Sequence, residues 1–203
     1  KNPAEAVNYY KISAEHGYDI AMFNYAELLE KGEIVDQNIN EAVGLYLSAA
    51  KNGYKPAICR YAELLLEGNG VISDPAEAKR LFLMLFYDEG YTSALIGLAK
   101  MYYYGIGCDV NQEEALKLYK MAADANNPRG LVQYGIMLQT GQGCPKNPKA
   151  ALDCYEKAIK QGSYVAMTKA ANLLLLGDDG IDVDVDRAIE LLQTASENGE
   201  IFL

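Results

Sequence analysis

One histidine, one Ser-x-x-Lys tetrad, four cysteines and one run of aspartates are the residues of this chain whose types and spacing invite chemistry. His16 is the only imidazole, so a His-rich zinc site is excluded, and a general base here would act without a second histidine. Its place near the end of a helical stretch suits a surface cation beside a helix C-terminus, where the backbone dipole favours positive charge. Ser48-Ala-Ala-Lys51 has the spacing at which a lysine relieves a serine of its proton in penicillin-recognising enzymes, but no Ser-Asp-Asn or Lys-Thr-Gly follows in context. Cys59, Cys108, Cys144 and Cys154 are too sparse for a disulfide framework and form no Cys-x-x-Cys pair. Asp178, Asp179, Asp182, Asp184 and Asp186 alternate like a calcium loop, yet Arg187 and Gln193 stand where such a loop needs glycine and a bidentate glutamate. A solvated turn that also caps the next helix is the expectation there.

None of these sets supplies the paired titratable groups in a cleft that catalysis requires. No enzyme activity, cofactor or metal is expected. The 203 residues carry 28 acids against 18 bases, a net charge of −10, so the basic stripe that phosphate backbones require is missing and nucleic acid is not an expected partner. Half the residues are hydrophobic, enough to build a core. No stretch approaches the roughly 18 apolar residues of a membrane span, so no membrane insertion is expected. Sparse cysteines and the lack of an Asn-x-Ser/Thr sequon lean towards a reducing, cytoplasmic compartment. The aromatic content is lopsided, with 16 tyrosines, 4 phenylalanines and no tryptophan, and any architecture must give those tyrosines a place.

The positioning elements are set by a repeat. With Ala21, Ala57, Ala94, Gly130 and Ala166 as starting points, the intervals are 36, 37, 36 and 36 residues. Eleven residues on comes glycine each time, at Gly32, Gly68, Gly105, Gly141 and Gly177. Further along lie Ala42, Ala78, Ala115 and Ala151, each followed four residues later by an aromatic: Tyr46, Phe82, Tyr119 and Tyr155. Ile58, Tyr61, Ala62 and Leu65 show the i, i+3, i+4, i+7 spacing of one helix face, and the glycine ends that helix. A second helix is announced by Asn or Asp followed three residues later by Glu, as in Asn2/Glu5, Asn38/Glu41, Asp74/Glu77 and Asn111/Glu114, the signature of a capping box in which Glu returns a bond to the cap. It closes at Gly17, Gly53, Gly90, Gly162 or Gly199. The tyrosines then become spacers between helices and repeats. Tyr103 and Tyr104 stand where no repeat rule demands Tyr. Cys108 and Cys144 share a column one repeat apart, at the roughly 8–10 Å of helix packing rather than the ~7 Å Cα limit of a disulfide, and read as small loop hydrophobes. Cys154 takes a column otherwise filled by Leu45, Leu81, Leu118 and Leu191 and should be core.

Ala57-Ile-Cys-Arg-Tyr61-Ala-Glu-Leu-Leu-Leu-Glu-Gly68-Asn-Gly70-Val71 and Tyr102-Tyr-Tyr-Gly105-Ile-Gly107, each followed by a capped Ala-x-x-x-Tyr/Phe helix, resemble the Sel-1-like repeat (SLR), an α/α solenoid related to the tetratricopeptide repeat. The resemblance covers all 203 residues, as a single solenoid made of a partial repeat 1–20 and repeats 21–56, 57–93, 94–129, 130–165 and 166–203. Glu33-Ile34 in place of Gly-x-Gly, and the extra residue at Asp178-Asp179-Gly180, are departures that read as loop variation. The resemblance implies an all-α, right-handed superhelix whose first helices line a concave face, and a role as an adaptor that binds a protein or peptide ligand.

By that analogy the groove-facing residues are Phe23, Glu27, Cys59, Glu63, Leu66, Ile96, Lys100, Tyr103, Tyr104, Val132, Ile136 and Gln139. The set is unusually apolar in its middle, the mark of a partner site, and Tyr is a favoured hot-spot residue. Lys100 is placed to meet a peptide carboxylate, and Glu27, Glu63 and Glu67 to meet basic side chains. The alternative is that the second helices bury these residues as ordinary packing, in a structural segment for self-assembly. The chain opens on a lone second helix and ends at Ile201-Phe202-Leu203, which is not the polar end a solenoid needs. A continuation into a longer array, or a homo-oligomer with end-to-end contacts, is therefore expected.

Overall fold

The computed structural model describes residues 3–87 and 90–197. Among these there are eleven α-helices and no strand beyond an isolated bridge between Asp178 and Ile181. None is long and apolar enough to cross a membrane. The chain divides into two compact units, residues 1–97 and 98–203. The first holds α1 (Pro3–Glu15), α2 (Asp19–Lys31), α3 (Ile39–Lys51), α4 (Lys55–Glu67) and α5 (Pro75–Tyr87), each packed against the next. The division falls inside α6 (Ala94–Tyr104). The second unit holds α7 (Gln112–Asp124), α8 (Pro128–Thr140), α9 (Pro148–Ile159), α10 (Tyr164–Leu176) and α11 (Val185–Glu197), again packed in sequence.

The even-numbered helices from α2 to α10 are the first helices of the repeat, and the odd-numbered ones the second. Small residues let them approach closely. The methyl or hydrogen at Ala26, Ala62, Ala99, Gly135 and Ala171 leaves each of those sites buried, and at Gly135 a Cβ would run into the Tyr155 ring. In unit 1, Ala26, Leu29, Ala42 and Tyr46 form one apolar cluster. In unit 2, Leu131, Leu138, Ala151, Cys154 and Tyr155 form its counterpart.

Every described second helix but α1 starts on a capping Asn or Asp, as the sequence predicts. Oδ1 of Asn38, Asp74, Asn111, Asn147 and Asp184 accepts from the backbone N–H three residues on, at 3.0 to 3.2 Å. Asn2, the first of the expected caps, lies outside the described residues. Among the described residues the returning bond of the capping box is not formed, and the reason is tertiary. The backbone N–H of each cap is already committed to a carbonyl near the end of the preceding first helix. Asn38 donates to Leu29 at 2.9 Å, Asp74 to Leu65 at 3.0 Å, Asn111 to Tyr102 at 2.8 Å, Asn147 to Leu138 at 2.7 Å and Asp184 to Leu174 at 3.0 Å. The displaced glutamates pair elsewhere: Glu41 takes the Asn38 side-chain amide, Glu77 takes Arg80 and Glu114 takes Lys117. The backbone thus staples each first helix to its second, satisfying an orphan donor of one helix and an orphan carbonyl of the other.

The turn that closes α7 has Asn126 at φ +60, in the column filled at Gly17, Gly53, Gly90 and Gly162 by left-handed glycine. Asn is the side chain best able to take that conformation, so the repeat persists without its usual residue.

Candidate functional site

The residues that invite chemistry are spoken for individually. His16 is exposed just past α1, and its Nδ1 lies 2.7 Å from the Ile12 carbonyl, which fixes the proton on that nitrogen. The Ser48 hydroxyl donates to the Gly44 carbonyl at 2.8 Å, an ordinary bond along its own helix. The four cysteines form no disulfide with one another. Cys108 and Cys144 point their sulfurs at the carbonyl seven residues earlier, Met101 and Met137, in matching positions of successive repeats. Cys154 is buried, and burial pushes its thiol above the usual range, which disfavours the nucleophilic thiolate. The aspartate run is a turn with structural partners: Lys146 pairs with Asp178 at 2.7 Å and holds its carboxyl below the ordinary range, while Asp184 caps α11. Among the described residues no three His, Cys, Asp or Glu gather into a metal-ligating group.

In unit 1 the face expected from the sequence is largely packed. Cys59, Glu63, Leu66 and Ile96 are buried, and Phe23 and Glu27 are half-buried. Phe23 sits edge-on to the rings of Tyr46 and Tyr54, at 5.5 and 5.7 Å. Arg60 on α4 gathers three of the acids. Its guanidinium bonds Glu30 of α2 in a two-point fork, reaches Glu63 at 2.8 Å, and lies 3.7 Å from Glu67. Glu30 also accepts from the Tyr46 hydroxyl at 2.9 Å. Burial pushes the Glu30 carboxyl up, but the hydrogen bond and charge of Arg60 outweigh it and hold the group below the ordinary carboxylate range. Glu63 and Glu67, expected to meet a partner's basic side chains, thus meet Arg60.

Unit 2 brings Tyr103, Tyr104, Val132 and Ile136 together around one cavity of about 310 Å³. Tyr103 and Tyr104 meet edge to face at 4.7 Å, and Tyr104 is 63% exposed. Val132 is buried and Ile136 half-buried. Lys100 and Gln139 do not line the cavity; its cation is Lys169 of α10. The expected face contained neither Lys169 nor Tyr119, which also lines it.

Tyr119 could have been found from a pairing rule. The buried Tyr46 hydroxyl donates to Glu30 and the buried Tyr155 hydroxyl to Gln139 at 2.8 Å, in both cases 16 residues upstream. Phe82, with no hydroxyl, has Leu66 at that distance. Tyr119 has Tyr103, whose own hydroxyl turns to Gln142 at 2.6 Å. Tyr119 is 4% exposed, and among the described residues its hydroxyl makes no hydrogen bond. Burial first, then the neighbouring Tyr104 and Tyr103 phenols, pushes it above its usual range. An unmatched buried hydroxyl costs about 1–3 kcal/mol, and a made one contributes about 1. One substitution in one column should therefore change stability with opposite signs. Tyr155→Phe is expected to lower unfolding free energy by about 1 kcal/mol and Tyr119→Phe to leave it unchanged or raise it by a similar amount, in parallel urea titrations.

A larger cavity, about 750 Å³, lies between α1 and α2 and is lined by Tyr9, Tyr10, Tyr18, Ile20 and Tyr54. One repeat on, the residue equivalent to Tyr10 is Tyr46, which is fully buried, and α2 supplies Phe23 and Glu30 against it. The cavity is a face of the kind on which a first helix packs.

The Sel1 repeat family model matches residues 1–18, 19–54, 55–85, 92–127, 128–163 and 165–200. Over 104 residues, 51% of this chain, the sequence is 33% identical to chitin synthase regulatory factor 2 of Schizosaccharomyces pombe, and the match spans only 20% of that protein's length. Among solved structures the fold is similar to a Sel1 repeat protein from Oxalobacter formigenes, with a TM-score of 0.78 and 26% identity over 96% of this chain and 77% of that one. It is also similar to a protective antigen of uropathogenic Escherichia coli described as displaying an SLR fold, with a TM-score of 0.63 and 25% identity over 98% of this chain and 42% of that one. The matched repeats after the first begin within two residues of the starts of α2, α4, α6, α8 and α10. Helix pairs, cap-to-carbonyl staples and the family match share one register: the architecture is an all-α solenoid, and the chain belongs to the Sel1 repeat family.

Proposed function

We propose that this chain is a non-enzymatic interaction scaffold that binds a peptide or another protein on the faces of its first helices. The observation that carries the reading is the unit 2 cavity, where an exposed tyrosine, a second tyrosine and two aliphatic side chains converge. Rigid aromatic area beside a small hollow of mixed polar and apolar lining is what an interface anchor needs. Two further facts support it. A protein-interaction role is typical of the Sel1 repeat family, and a relative carries the name chitin synthase regulatory factor. The open α1/α2 face favours an accompanying role, in which a further helix of a longer array packs there.

The test is a variant carrying Tyr104→Ser and Ile136→Ser, both at positions that water already reaches. Immobilised wild-type and variant protein are compared for the partners they retain, with melting curves recorded alongside. A loss of at least about tenfold in partner affinity with a nearly unchanged melting curve is expected, each anchor contributing roughly 1–2 kcal/mol. Undiminished capture by a folded variant would sink the assignment of this face.

A further inference from the structure

We infer that the unit 2 cavity receives the C-terminal residue of a bound peptide, its carboxylate held by Tyr119 and Lys169 and its apolar side chain held by the walls. The inference rests on the scaffold reading above and names the chemistry of its anchor. Tyr119 departs from its column: Tyr46 and Tyr155 spend their hydroxyls on Glu30 and Gln139, whereas Tyr119, buried and among the residues that line the cavity, has a hydroxyl with no acceptor among the described residues. Such a donor is satisfied by an acceptor brought in from outside. Lys169 lines the same cavity, is half-buried, and forms no ion pair among the described residues.

The lining contains no Asp or Glu, although the chain carries ten more acids than bases. An unpartnered O–H and an ammonium beside a hollow free of acids select an anion. The remaining walls combine the aliphatic Val132, Ile136, Met137 and Val165 with Gln133 and the rings of Tyr103 and Tyr104, so Lys169 is their one charge. A phosphate would bring roughly two charges to a single lysine among otherwise uncharged walls, while a carboxylate brings one. About 310 Å³ admits a residue or two and no folded segment. A C-terminal residue carries its carboxylate and its apolar side chain on one Cα, so it fills both halves of the hollow together. An internal Asp or Glu offers the carboxylate without the hydrocarbon.

The probe is a mixture of fluorescein-labelled hexapeptides, random at five positions and ending in leucine, prepared once with a free C-terminal carboxylate and once amidated. Binding to the full chain is followed by fluorescence anisotropy. The free-acid mixture is expected to bind at least about tenfold more tightly, the worth of a charge-assisted bond. Tyr119→Phe and Lys169→Gln should each remove most of that preference, and Tyr155→Phe, in the same column but outside the cavity, should leave it intact. Tyr119→Phe removes a hydroxyl without emptying space, so its effect is not one of misfolding. Equal affinity for the two mixtures, or a preference that survives both cavity variants, overturns the inference. If Tyr104→Ser with Ile136→Ser then weakens both mixtures alike, the scaffold reading stands while the carboxylate is lost. If neither mixture binds, the inference is overturned as well, and partner capture decides the scaffold reading on its own. An amidated mixture with an internal glutamate that matches the free acid would reassign the site to side-chain carboxylates and overturn the C-terminal assignment.

Discussion

Arg60→Met is expected to lower the stability of the chain by about 2–4 kcal/mol and its melting temperature by roughly 10 °C. The substitution keeps a flexible chain of similar length and removes only the guanidinium. Glu30 and Glu63 would then face each other with side chains 17% and 10% exposed and no cation between them. Breaking a fully buried pair costs about 3–5 kcal/mol; the lower range applies because water still reaches part of this cluster. The pH dependence carries a definite sign. Glu30 has a folded-state value held below the unfolded one, so its pairing stabilises fully above the unfolded carboxylate pKa and is lost as pH falls through the folded one. In the variant that pull is gone and burial dominates, so neutralising Glu30 relieves strain. The gap between the two proteins should narrow steadily from pH 7 to pH 3. Thermal melts at both pH values check it, and a gap that stays constant would mean that Arg60 acts through packing alone.

Gly143→Ala is expected to cost about 3 kcal/mol, with Gly162→Ala as its control at about 1 kcal/mol. Both glycines have positive φ, +74 and +82, so each substitution strains the backbone by about 1–2 kcal/mol. They differ in surroundings. A Cβ at Gly162 would meet nothing within 4 Å, whereas at Gly143 it would sit 2.5 Å from the Gln112 carbonyl oxygen and 3.1 Å from the Glu113 nitrogen. Those are main-chain atoms in the first turn of α7, and they cannot swing aside as a side-chain tip does. The second glycine of the Gly-x-Gly motif is therefore a contact between successive repeats as well as a turn. Urea unfolding of the two variants isolates the close approach as their difference. Equal losses would reduce the glycine to its conformational role.

How far the sequence reaches can be judged residue by residue. The Asn and Asp caps, the terminating glycines and the alanine columns lie where a 36-residue period puts them, because capping and helix-face burial are local and tolerate an ångström of slack. The apolar character of the first-helix face was legible too, and so was the oddity of Tyr103 and Tyr104. Partner identity was not. Glu63 reads as an exposed acid by its column, yet Arg60, three residues before it, draws it and Glu30 into one cluster. The capping-box glutamates read as reciprocal partners until the carbonyls of Leu29, Leu65, Tyr102, Leu138 and Leu174 claim the donors they were to satisfy. Lys169 carries no signal of its own in the sequence, and Tyr119 only the mismatch with Tyr103 16 residues earlier.

By itself the sequence determined the helices, their pairing and the Sel1 repeat family, since a recurring pattern of small, apolar and capping residues leaves one way to bury its faces. Only the tertiary structure decided which polar group answers which. A hydrogen bond demands two atoms about 3 Å apart in a set direction, while periodicity constrains a face to within several ångströms. Burial of the alanine and aromatic columns could therefore be read from the spacing, while which tyrosine hydroxyl finds an acceptor was decided only where the helices meet.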